Sequence, residues 1–140
     1  MARFAAAQFV ATLVALALAA CQPAKPTLDP NAEPVARAFF EEVRAGADLD
    51  VDTHLAHELK NPTSEEQLTV FRSLIPVEPA RSIELKSWEA RTDAAGTTTK
   101  LTQLYHYADR TLVAQTALFK SPSGEDPVII GFNLTESDQS

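Results

Sequence analysis

At Pro76-Val77-Glu78-Pro79 the spacing of apolar residues changes from a helical period of about 3.6 to a strand period of two. Two prolines in four residues fit neither a helix interior nor a paired strand, so the chain divides there into a helical part and a sheet part. Upstream, Val35, Ala36, Phe39, Phe40 and Val43 recur at three and four residues, which predicts a helix over 32–45 with one apolar stripe. Asn31 is placed to cap it, Pro34 falls in its first turn, and Gly46 supplies the stop. A shorter helix is expected over 52–60 from Val51, Leu55 and Leu59, ended by Asn61-Pro62. A third follows, with Ser64 and Gln67 as a capping box, Leu68, Phe71 and Ile75 as its stripe, and Pro76 as its end.

Downstream, period-two segments predict strands over 81–91, 97–108, 111–120 and 127–135. The connections Asp93-Ala94-Ala95-Gly96, Asp109-Arg110 and Pro122-Ser123-Gly124-Glu125-Asp126 are short enough for hairpins. Helices followed by consecutive hairpins predict an α+β fold, with N-terminal helices packed on one face of a four-stranded antiparallel meander. A two-residue loop at Asp109-Arg110 would set Tyr107 opposite Leu112, Tyr105 opposite Ala114, Gln103 opposite Thr116 and Leu101 opposite Leu118. The other face would pair His106 with Val113, Leu104 with Gln115 and Thr102 with Ala117. The first set carries more large apolar surface and is assigned to the helix-covered side. Its polar members, Gln103, Tyr105, Tyr107 and Thr116, are the candidate cavity-lining residues, because buried polar atoms need partners. His106 falls on the outer face. Ile83 and Leu85 alternate inward, Trp88 breaks their parity and predicts a bulge or edge contact, and the last strand, apolar on both sides at Val128-Ile129-Ile130, reads as central or well covered.

The N-terminus has a different character. Met1-Ala2-Arg3 carries one positive charge, the stretch from Phe4 to Leu18 is apolar, and small residues precede Cys21. About 15 apolar residues are too few for a helix to span a bilayer, so the segment reads as a cleaved export signal. Leu18-Ala19-Ala20-Cys21 resembles the lipobox of bacterial lipoproteins. The resemblance implies cleavage before Cys21, a diacylglycerol on its thiol and an acylated amino terminus. Several acyl chains would then hold the protein on a lipid bilayer. Gln22 in place of the aspartate that retains lipoproteins in the inner membrane points to the outer membrane, facing the periplasm. The chain therefore divides into a signal peptide (1–20), a lipidated tether (21–32) rich in proline and extended in character, and one α+β domain (33–140).

Composition narrows the chemistry. Cys21 is the only cysteine, so no intrachain disulfide is available. The chain has 12 basic and 19 acidic residues; Arg3 leaves with the signal, which moves the net charge from −7 to about −8 and argues against a nucleic-acid surface. His54, His57 and Glu58 stand near one face of the expected second helix, but their order matches no zinc motif and no third ligand accompanies a His–carboxylate set. Neither a metal nor a cofactor is expected.

The order of elements, Phe39-Phe40-Glu41-Glu42-Val43-Arg44-Ala45-Gly46 with Asp48, Thr63-Ser64-Glu65-Glu66, Gln103-Leu104-Tyr105-His106-Tyr107 before Asp109, and Ile129-Ile130-Gly131-Phe132-Asn133-Leu134 resemble the nuclear transport factor 2-like (cystatin-like) superfamily. That resemblance implies a cone-shaped fold with a cavity at its wide end. Enzymes of the superfamily place Asp, Tyr and His in that cavity; no acid here matches those positions, so no catalytic residue is assigned. Two functions follow. The first is a non-catalytic envelope module that holds another envelope protein or a small apolar ligand. The second is a small isomerase- or cyclase-type enzyme in which Tyr105 or Tyr107 polarises a carbonyl beside a base. The outer sheet face, with Leu104, Val113 and Trp88, is where a homodimer would form.

Overall fold

The computed structural model describes residues 27–46, 48 and 54–137, so the signal segment, Cys21 and most of the tether lie outside the described residues. Helix α1, Ala32–Ala45, buries Ala32, Ala36, Phe39, Phe40 and Val43, the stripe expected from their spacing. Asn31 makes no side-chain cap. Asp29 takes that part: its Oδ1 accepts the Asn31 N–H at 2.8 Å, its carbonyl accepts the Ala32 N–H at 3.1 Å, and Lys120 Nζ lies 3.0 Å from its carboxylate. At the far end Gly46 adopts φ 76°, the left-handed conformation of a helix stop, and donates to the Val43 carbonyl. Arg72 Nε reaches the same carbonyl at 2.9 Å.

The expected helix over 52–60 is corrected. Val51 and Asp52 lie outside the described residues, and the remainder holds only a single 3-10 turn, His57–Leu59. The backbone just before that turn is extended instead, because it pairs with the sheet: Ile129 donates to His54 O at 2.6 Å and Ala56 to Ile129 O at 2.8 Å. Leu55 is buried by this pairing rather than by a helical stripe. The capping box is corrected as well. Helix α2, Pro62–Leu74, is capped three residues earlier than Ser64, with Pro62 in its first turn and Asn61 Oδ1 accepting the Ser64 N–H at 2.9 Å. Asn61-Pro62 thus opens α2 instead of ending the element before it.

Four antiparallel strands follow in meander order: β1 Ser82–Asp93, β2 Gly96–His106, β3 Thr111–Lys120 and β4 Val128–Glu136. The β2–β3 register differs from the expected one by two residues. Tyr105 faces Leu112, Gln103 faces Ala114, Leu101 faces Thr116, and His106 faces Thr111. The hairpin loop is therefore Tyr107–Arg110, closed by the Tyr107 N–H on Arg110 O at 2.8 Å. A shift of two leaves every side chain on its assigned face. Leu101, Gln103, Tyr105, Tyr107, Leu112, Ala114, Thr116 and Leu118 are all buried.

The β1–β2 ladder shifts between Leu85 and Ser87, a bulge at Lys86. After it Trp88 faces Leu101 and shares the core side with Ile83 and Leu85, so the broken parity has its physical source and Trp88 leaves the outer face assigned to it. A second bulge turns Ile130 outward, because Leu118 faces Ile129 while Ala117 faces Gly131. β4 is an edge strand, not a central one, and its apolar start is covered by the His54–Ala56 segment. Phe132 joins the layers, with ring centroids 5.2 Å from Phe39 of α1 and 5.6 Å from Phe71 of α2, both edge to face.

Candidate functional site

Beneath α1 the middle of the sheet is polar where a core of this size is ordinarily aliphatic. Gln103 on β2 is fully buried between Leu85 and Ala114, Tyr105 lies two residues along between Ile83 and Leu112, and Thr116 on β3 sits between Leu101 and Phe132. Alternation in the strand sends all three toward the helix layer. Gln103 Nε2 and Oε1, Tyr105 Oη and Thr116 Oγ1 have no hydrogen-bond partner among the described residues. Unpaired buried polar groups each cost about 1–3 kcal/mol, so a band of them is unusual in a core that serves packing alone.

Aromatic packing fixes the band's position. Phe40 of α1 lies flat on the Tyr105 ring, centroids 3.8 Å apart and planes 12° apart. Burial holds the Tyr105 hydroxyl far above its ordinary pKa, with lesser opposing influences from Arg37 and Glu41. Tyr107, at the end of β2, is pushed up to about 12 by burial first and Glu41 second. Both hydroxyls therefore stay protonated across the physiological range and act as neutral hydrogen-bond donors. The chain has two tyrosines, and both belong to this site.

Three pockets lie elsewhere on the described surface, and none is lined by Gln103, Tyr105 or Tyr107. One of about 620 Å³ crosses the outer sheet face over Thr102, Gln115, Ala117, Gly131 and Asn133 and touches Thr116. Another of about 630 Å³ sits where the chain enters the domain, lined by Asp29, Thr97, Thr99 and Lys120 among others. The four residues chosen from the sequence are all buried on the helix-covered face, with Phe40 of α1 lying on Tyr105.

The histidines stand apart from this band. His106 is on the outer face, with Nε2 3.3 Å from Glu84 and Nδ1 3.2 Å from Thr111 Oγ1. His54 Nδ1 is 2.8 Å from Glu42 Oε1, a contact no spacing rule would find because twelve residues and a change of element separate the two. His57 and Glu58 are exposed on the 3-10 turn, and no metal-competent group of three or more His, Cys, Asp or Glu occurs among the described residues. The buried polar residues among those described are Thr99, Gln103, Thr111 and Thr116, none of them a carboxylate or imidazole, while the half-exposed Glu41 carboxylate acts on both tyrosine hydroxyls. No protein-family model, curated protein or solved structure matches this chain.

Proposed function

We propose that this protein is a lipid-anchored component of a bacterial envelope whose α+β domain is a binding module for a small, mainly apolar ligand bearing a few polar groups. The anchor rests on Leu18-Ala19-Ala20-Cys21 behind an apolar signal, and on Gln22 for the outer membrane. Binding rests on the unpartnered atoms of Gln103, Tyr105 and Thr116, which offer both donors and acceptors to a guest within an apolar wall. Displacement of Phe40 from the Tyr105 ring would open the space, with α1 as the moving cover. The resemblance of the sequence to the nuclear transport factor 2-like superfamily supports the same reading.

The isomerase or cyclase alternative needs a base close to Tyr105 or Tyr107. The carboxylate that acts on both hydroxyls is Glu41, half exposed and held by Arg44 at 2.7 Å, so no proton-abstraction step is assigned. Mass spectrometry of protein purified from envelopes tests both parts of the proposal. A mature chain starting at acylated Cys21, and a co-purifying small molecule lost in Gln103→Met, are the expected results. An unmodified Cys21 thiol refutes the anchor, and equal ligand content in the variant refutes the site.

A further inference from the structure

β1 is the outer strand of the sheet, and among the described residues nothing bridges to its free side. Its edge groups can be identified. The Tyr107 N–H donates to Arg110 O on the β3 side, so the alternate residues His106, Leu104 and Thr102 turn their backbone groups toward β1 and set the phase of its ladder. Counted across the Lys86 bulge, that phase turns the backbone N–H and C=O of Ile83, Leu85, Trp88, Ala90 and Thr92 away from β2. The outer side of the strand carries Glu84, Lys86, Glu89 and Arg91, all exposed. Charges and a bulge are ordinary means of keeping an edge single. Here, however, their order is antisymmetric about Trp88 once the bulge is counted.

We infer that β1 is a homodimerisation edge, on which two copies of this chain pair their β1 strands antiparallel about a two-fold axis at Trp88. In that register Glu84 faces the second copy's Arg91, and Lys86 faces its Glu89, each contact occurring twice by symmetry. Leu85 meets Ala90 and Ile83 meets Thr92, residues that share the core side and whose backbone groups both point outward. Those meetings, with Trp88 against the second copy's Trp88 on the axis, supply about ten backbone hydrogen bonds. Each Lys86 bulge lies opposite the second copy's Glu89, one on either side of the central Trp88 pair.

Alternative registers are penalised. Slipping by two in one direction sets Glu84 against Glu89, and in the other sets Glu84 against Asp93 and Lys86 against Arg91, all like charges. Slipping by one sets core-side residues against outward ones. Nonspecific association is opposed by the net charge of −7, so a matched edge is what brings two copies together. Among the described residues of one copy, Glu84 has the 3.3 Å contact with His106 and Glu89 a 3.9 Å contact with Lys100, both carboxylates remaining mostly exposed and able to reach a facing arginine or lysine.

The test is sedimentation equilibrium of the protein purified with its native N-terminus, in density-matched detergent. Wild type is expected to dimerise, and Glu84→Arg or Arg91→Glu alone to weaken the dimer about tenfold or more by placing like charges together. The double variant, and an equimolar mixture of the two single variants, are expected to recover wild-type association, since each restores opposite charges at both ends. A monomeric wild type, single variants that dimerise like wild type, or a double variant and mixture that stay apart would overturn the inference. Amide exchange on wild type gives a readout independent of the variants. Exchange at Ile83, Leu85, Ala90 and Thr92 is expected to slow as concentration rises, and concentration-independent exchange there would equally refute the edge.

Discussion

Replacing Gln103 with methionine is expected to make the protein more stable and less able to hold a ligand. The side chain is fully buried, and both its amide atoms lack partners among the described residues. Two such groups at about 1–3 kcal/mol each set a ceiling of about 2–6 kcal/mol. Relaxation of the surroundings reduces what is recovered, so we expect about 2 kcal/mol. Methionine matches glutamine closely in volume and adapts to irregular space, which keeps packing losses small. At about 4 °C per kcal/mol, the gain corresponds to a rise of about 8 °C in Tm. Urea and thermal unfolding followed by circular dichroism measure it directly, and the same preparation compared with wild type for bound small molecule measures the opposed loss of function. A Gln103→Met protein that unfolds at lower temperature would show that the amide is satisfied in solution, and the reasoning about the polar band would fail.

The two tyrosines permit a direct optical check. Absorbance titration should show Tyr107 ionising near pH 12 and Tyr105 higher still, whereas midpoints near 10 would mean that the hydroxyls reach water. Because both folded values are raised, their stabilisation is complete below about pH 10 and is lost as pH climbs through the folded values; Tyr107→Phe should lessen that alkaline decline in urea-unfolding measurements. Gly96→Ala should lower the urea midpoint by an amount equivalent to about 2 kcal/mol or more, since a Cβ there would lie 2.4 Å from Lys120 O at a φ of 145°. Asp29→Asn should destabilise by about 1 kcal/mol at pH 7 and by progressively less in acid. The Asn31 N–H, seconded by Lys120, holds the Asp29 carboxyl below its usual range, so its stabilisation is present above about pH 4 and disappears as pH falls through the lowered value. A wild-type-to-variant difference that stays constant from pH 7 to pH 2 would contradict that assignment.

What could be read from the residues follows from how periodicity works. The span of α1 and the division of β2 and β3 into two faces came from apolar spacing, which burial enforces residue by residue. The hairpin register did not. A slip of two residues leaves every face unchanged, so the hydrophobic pattern is blind to it, and the choice rests on the closing bond from Tyr107 to Arg110. Similarly, Val51, Leu55 and Leu59 repeat at four residues over a stretch too short to nucleate a helix unaided. The backbone of His54 and Ala56 instead satisfies the start of β4.

That Gln103, Tyr105, Tyr107 and Thr116 share the helix-covered face was legible from strand parity, because alternation alone assigns a side. Whether those side chains line a mouth or lie under a cover was not legible, since that depends on where Phe40 of α1 comes to rest, a contact between residues 65 positions apart in the chain. Local spacing by itself determined which elements form and which way their side chains turn. The fit of separate elements against one another decided the register, the placement of the β1 bulge at Lys86, the partner of His54 and the enclosure of the polar band. Such fits rest on pairings between distant segments, and no local period encodes them.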